Sequence, residues 1–163
     1  MSRLVLAVVA GFAVASAAAA ADEEKTVRLV HVATGKVLAI ADESSDLGSR
    51  AVVVKENPKS DAQQWTIAKD AGFLKLTNLN SGKVLDVYEN MKEEGAPIIQ
   101  WEDKPCDNDN QRWAWEGEGK ERRLRSKLSN LVLDVDDEGK VVQKKADPKS
   151  KSQLWRVVEA PKK

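Results

Sequence analysis

The chain has 163 residues, 42% of them hydrophobic and 32% charged, with Lys+Arg and Asp+Glu equal at 26 each. That is enough chain for one domain with a real core, and the balanced charge argues against the basic field of a nucleic-acid or anionic-membrane binder. A single cysteine, Cys106, excludes an internal disulfide framework, so packing must hold the domain together.

In chain order, Met1-Ser2-Arg3 supplies a positive charge, Leu4 to Val14 an apolar run, and Ser16 to Ala21 a small-residue tail. This order predicts a secretory signal peptide over 1–21 with Ala-x-Ala cleavage sites ending near Ala20 or Ala21. The competing reading is a retained membrane anchor, but the Ala-rich second half is only weakly hydrophobic. Cleavage leaves 22–163 as a near-neutral, secreted or extracytoplasmic protein (extracellular or periplasmic) with no stable membrane insertion.

Past this leader, one unit recurs three times. Thr34-Gly35-Lys36-Val37-Leu38-Ala39-Ile40, Ser81-Gly82-Lys83-Val84-Leu85-Asp86-Val87 and Ser129-Asn130-Leu131-Val132-Leu133-Asp134-Val135 each read as a turn entering a strand. Val32, Leu79 and Leu128 are expected to close the strand before that turn. Val52-Val53-Val54, Ile98-Ile99-Gln100 and Val141-Val142-Gln143 predict a third strand per unit. A fourth opens at Gln-x-Trp: Gln63-Gln64-Trp65, Gln111-Arg112-Trp113 and Gln153-Leu154-Trp155, with Trp spacings of 48 and 42 residues. Ile67, Trp115 and Val157, two residues beyond each Trp, share its core-facing side by the period of a strand. Breakers such as Asn57-Pro58, Lys104-Pro105 and Asp147-Pro148 mark loops. No helical period is evident after residue 21, so the expectation is an all-β, closed or nearly closed architecture of three pseudo-symmetric four-stranded repeats, about 27–70, 72–119 and 121–158.

Three Gln-x-Trp segments in register with Leu-Asp-Val partners resemble the ricin B-type β-trefoil lectin family, and the resemblance spans about Val27 to Val158. It implies a β-trefoil that binds glycans or glycoconjugates without a cofactor. Comparing the copies narrows this to one site. The Asp position holds Ala39, Asp86 and Asp134; the position after the third strand is read as Lys55, Trp101 and Lys144; the residue before Gln-x-Trp is Ala62, Asn110 or Ser152. Only the second copy has acid, aromatic and amide together. A position that takes Lys twice is open to solvent, so Trp101 there reads as a ligand-stacking surface rather than core, unlike Trp65, Trp113, Trp115 and Trp155.

That set suits a sugar, whose apolar C–H face lies on an aromatic ring while its hydroxyls meet a carboxylate and an amide. The resemblance places hydroxyl binding on Asp86 and Asn110 and stacking on Trp101, with Gln111 bracing the loop and the Asp. Tyr88 is a candidate second wall, or else a partly exposed strand residue. Family sites often carry a polar side chain two residues before the aromatic; this chain has Ile99 there, with Gln100 on the opposite face, which departs from a galactose-type pattern. The first copy lacks every group, while the third keeps Asp134 as a possible weak site.

Rival readings are weaker. Asp134-Val135-Asp136-Asp137-Glu138-Gly139 imitates a calcium loop, but Lys145 stands where the closing Glu belongs. His31, the only histidine, is matched with Asn78 and Lys127 and reads as an exposed strand residue, so no catalytic set forms around it. One Cys and one His do not make a zinc site. The expected protein is therefore not an enzyme and holds no metal. The alternative from another class is a β-trefoil that binds protein, for example as a protease-inhibitor module, through Lys-rich loops such as Lys144-Lys145 and Lys149 to Lys151.

Overall fold

The computed structural model describes residues 25–160; the expected leader lies outside them. The described chain is all β, with twelve strands and four short 3-10 turns. The first repeat contributes β1 (Thr26–His31), β2 (Val37–Ile40), β3 (Ala51–Val54) and β4 (Trp65–Asp70). The second contributes β5 (Phe73–Asn78), β6 (Val84–Val87), β7 (Ile98–Trp101) and β8 (Trp113–Glu116). The third contributes β9 (Glu121–Ser126), β10 (Val132–Val135), β11 (Val141–Lys144) and β12 (Trp155–Glu159).

The pairings define the architecture. Antiparallel contacts run β1–β4–β5–β8–β9–β12 and return from β12 to β1, a closed six-stranded barrel. Closure leaves that ring no edge to protect. The remaining strands form three hairpins, β2–β3, β6–β7 and β10–β11. These are joined by the bridges Arg50↔Ile99, Pro97↔Val142 and Val52↔Lys140. A six-stranded barrel capped by three linked hairpins is a β-trefoil.

The Gln-x-Trp motif now has a physical explanation. Trp65, Trp113 and Trp155 are fully buried in one central cluster. Each indole N–H donates to the carbonyl of a β2-type strand: Leu38 at 3.2 Å, Leu85 at 3.1 Å and Leu133 at 3.5 Å. Each Gln closes the loop that precedes it. Gln63, Gln111 and Gln153 accept from the backbone N–H of Asn57, Lys104 and Asp147 and donate to the carbonyls of Lys55, Glu102 and Lys145. A buried amide satisfied on both ends is a structural clamp, which is why the first copy keeps Gln63 although Ala39 stands where the other copies have Asp86 and Asp134.

Several expectations need correction. Val32, Leu79 and Leu128 lie beyond the strand ends, and in the third copy the register is one residue off: Val32, Leu79 and Lys127 are equivalent, donating to Leu154, Gln64 and Arg112 carbonyls respectively. His31 is therefore matched by Asn78 and Ser126 and is buried, not exposed. Its Nε2–H donates to the Ser152 carbonyl at 2.9 Å, so Nδ1 accepts from the Thr34 hydroxyl at 2.9 Å. Burial holds its pKa below the usual value. Ala51, too small to signal a strand, opens β3 and pairs with Ile40. That shifts the frame so that Val54 rather than Lys55 is the counterpart of Trp101. Trp115 is only half-buried, with the Arg122 guanidinium 4.7 Å from its ring centroid.

Candidate functional site

The second hairpin and the loops at its end enclose a cleft of about 460 Å³, a size suited to a small ligand. The pairing Asp86↔Ile99 and Val84↔Trp101 puts Asp86, Ile99 and Trp101 on one face of β6–β7. Gln100, between them, is buried on the other face. Directly after β6 the chain turns through the 3-10 segment Tyr88–Asn90, in which Glu89 and Asn90 have φ of 48° and 55°. This unusual backbone folds Tyr88, Glu89 and Asn90 back over the cleft as a wall. Tyr88 is thus a turn residue rather than a strand residue. The opposite side comes from the loop before β8, which supplies Lys104, and from the 3-10 turn Asp109–Gln111, which supplies Asn110.

Asp86 stands at the base, only 2% exposed. Asn110 Nδ2 donates to its Oδ1 at 2.8 Å and Gln111 Nε2 to its Oδ2 at 2.7 Å. Each carboxylate oxygen keeps capacity to accept a further bond. Burial pushes the Asp86 pKa up to about 6, against the pull of the Gln111 bond, the Lys104 charge and the Asn110 bond. At neutral pH it is mostly a desolvated carboxylate, a strong hydrogen-bond acceptor.

Counting bonds reassigns some roles. Both N–H groups of Asn110 are used inside the protein, on Asp86 Oδ1 and on the Val87 carbonyl at 3.1 Å. Its Oδ1 accepts from Lys104 Nζ at 2.9 Å. Asn110 therefore orients Asp86, and Lys104, which lines the cleft, keeps further hydrogens to donate. Gln111 is fully buried and does not line the cleft. Trp101 is 37% exposed and Tyr88 36%, two aromatic walls open to water. The Tyr88 hydroxyl is hydrogen-bonded to Glu89, which raises the phenol pKa.

Lys104 was missed by the motif comparison, which read Lys104-Pro105 only as a chain breaker. Its counterparts by the Gln clamp are Asn57 and Asp147, whose side chains accept from Lys59 and Lys149 backbone N–H groups in tight turns. A long cationic side chain at that one position, in a loop one residue longer, was the available signal. The third copy places Asp134 likewise on Gln153 Nε2 at 3.0 Å, but Ser152 Oγ donates to it at 2.6 Å and Lys144 Nζ stands 3.9 Å away. The acidic turn beyond it is closed by Asp136 Oδ1, which accepts from the N–H groups of Glu138 and Lys140. Among the described residues no cluster of three or more His, Cys, Asp or Glu could hold a metal ion. Cys106 is exposed in the loop before Asn110.

Comparisons with known proteins bear on fold and family. ThreeFoil, a designed threefold-symmetric protein, is similar at 28% identity with a TM-score of 0.76, over 82% of this chain and 98% of its own. An exo-β-1,3-galactanase from Clostridium thermocellum is similar at 28% identity and TM-score 0.77 over 85% of this chain, which spans only 31% of that enzyme. The Polyporus squamosus lectin, solved with the epitope Neu5Acα2-6Galβ1-4GlcNAc bound, shares the fold at 17% identity, TM-score 0.71, over 83% of this chain and 49% of its own. A search of curated proteins gives no significant match. The profile of the ricin-type β-trefoil lectin domain-like family matches residues 14–101, just over half of the chain, and the chain belongs to that family.

Proposed function

We propose that this protein binds carbohydrate non-covalently through the cleft of its second repeat, as a secreted lectin freed of the leader 1–21. The observation that carries this reading is the meeting of a buried, doubly braced carboxylate, Asp86, with the exposed rings of Trp101 and Tyr88. A pyranose ring stacks its C–H face on Trp101. One ring hydroxyl donates to Asp86 while a neighbouring oxygen accepts from Lys104, a donor–acceptor pair that matches a vicinal diol. Ile99 gives the floor an apolar character. The carboxylate is held by two amides as a hydrogen-bond acceptor, so the reading is binding without turnover. One such cleft gives modest monovalent affinity, which a multivalent surface would raise.

The test is a glycan array probed with protein starting at Asp22 and, in parallel, with Trp101→Ala. Binding by the parent and its loss in a folded variant is the expected result. A parent that binds no glycan at high surface density overturns the proposal.

A further inference from the structure

The cleft borders a loop that belongs to a different repeat. Residues 44–49 follow β2 in the first copy, which has no acid, aromatic or amide set of its own, yet the loop is bound to the strand that carries Trp101. Gln100 is fully buried, and its Nε2 donates to the carbonyls of Ser44 at 3.0 Å and Asp46 at 2.9 Å. Its backbone N–H donates to Ser49 O at 2.9 Å and its carbonyl accepts from Gly48 N–H at 3.0 Å. Asn80 Nδ2 adds bonds to Glu43 O at 2.8 Å and Ser45 Oγ at 3.3 Å. The loop is therefore registered to Trp101.

Gly48, at φ +77°, lets the backbone run along the indole: a Cβ there would stand 3.7 Å from Trp101 Cζ3. Beside it is Leu47, at 46% the most exposed large apolar side chain among the described residues. Leu47 is thus held open to water on a loop fixed by the Gln100 bonds. The pseudo-symmetric position offers a control. Gln143 holds the second copy's loop by the carbonyls of Met91 and Glu93, and Gly95 N–H bonds the Gln143 carbonyl, so Glu94 is the counterpart of Leu47. There the adjacent strand ends in Lys144 instead of Trp, and Glu94 pairs with Lys145 Nζ at 3.2 Å. An acid pairs with the basic residue after that strand end, and a leucine holds the equivalent position beside the Gly48 that lies against Trp101.

We propose that Leu47 and Trp101 form one apolar platform, an outer subsite for the second sugar ring of a di- or oligosaccharide whose first ring occupies the cleft. This rests on the carbohydrate-binding reading above. Trp101 is shared by both rings, and the exposed Asp46 on the same loop offers an acceptor to hydroxyls at the rim. The first repeat thus serves the site of the second.

Calorimetric titration with single rings (galactose, N-acetylglucosamine) and matched two-ring probes (lactose, β-1,3-galactobiose, chitobiose) tests this on the whole secreted chain. The parent is expected to prefer a two-ring probe over its single ring by roughly fivefold, the scale of partly covering one leucine. Leu47→Ser abolishes that preference without changing single-ring affinity, and Leu47→Trp increases it. Equal loss on both probe classes, or an unchanged preference in Leu47→Ser, overturns the subsite while leaving the lectin reading intact. If the parent binds neither class, the carbohydrate reading fails and the subsite fails with it.

Discussion

Asp86 and Asp134 occupy equivalent places in β6 and β10, both braced by the Gln of Gln-x-Trp, and yet their surroundings differ. Around Asp86 the partners are amides and a lysine that leave acceptor capacity facing a cleft. Around Asp134 the Ser152 hydroxyl and the Val135 N–H, at 2.6 and 2.7 Å, share Oδ1, while Gln153 and Lys144 address Oδ2. The wall differs too. Between β6 and β7 ten residues include the 3-10 turn with Tyr88, whereas between β10 and β11 Asp136 and Lys140 close a tight turn. A carboxylate in the right register is therefore not enough to open a cleft; the groups that leave it acceptor capacity and the loop that shelters it do that.

As scaffold the two repeats are equivalent, and the largest expected effect tests that half of the comparison. Trp113→Ala and Trp155→Ala should each cost about 3–5 kcal/mol, measured by denaturant unfolding, because both indoles are fully buried with matching carbonyl partners. Trp101→Ala, at an open position, should stay within about 0.5 kcal/mol of the parent. A large stability loss for Trp101→Ala would make it core and remove the stacking role.

The second prediction addresses the carboxylates. Asp86→Asn turns an amide N–H toward the donors of Asn110 or Gln111 and removes the charged acceptor. Glycan affinity should fall at least about 30-fold, roughly 2 kcal/mol. Asp134→Asn should leave it within about twofold. Equal losses from the two substitutions would show that the third repeat binds as well. A graft sharpens this further. Lys144→Trp with Ser152→Asn should not create a second site, whereas adding the loop 88–97 in place of the Asp136–Gly139 turn should raise the titrated stoichiometry toward two. A second site from the point substitutions alone would mean that the wall is dispensable.

Much of this was legible from residue types because the fold repeats. Three Gln-x-Trp segments gave strand placement and core, and the comparison of copies singled out Asp86, Trp101 and Asn110, which the structure brings to one cleft with Tyr88. What sequence spacing could not reach was side-chain direction and register. His31 was misplaced because one residue of slip in the third copy matched it to Lys127 instead of buried Ser126. Asn110 looked like a ligand donor until its N–H groups were seen to be spent on Asp86 and Val87. Lys104 and Leu47 were hidden for a common reason: the path of each one's loop depends on hydrogen bonds to Gln111 or Gln100, not on any local pattern.

The smallest effect is the pH dependence that Asp86 confers. Binding through Asp86 needs the anion, so affinity should weaken about tenfold between pH 7 and pH 5 as the carboxyl takes up a proton near pH 6. Stability of the free protein moves the other way. The folded pKa lies above the ordinary value, so the Asp86 contribution is fully present below about 3.8 and is lost as pH rises through about 6, on the order of 1 kcal/mol between pH 5 and 7. His31 opposes it: burial depresses its pKa, so its contribution is present above 6.5 and falls away as pH drops. The two are separated by melting the parent and Asp86→Asn across pH 5 to 7, where only the difference reports Asp86. That difference should shift in favour of the parent as pH falls. A pH-independent difference would mean that Asp86 remains charged throughout, and the cleft would then hold its acid by amides strong enough to overcome burial.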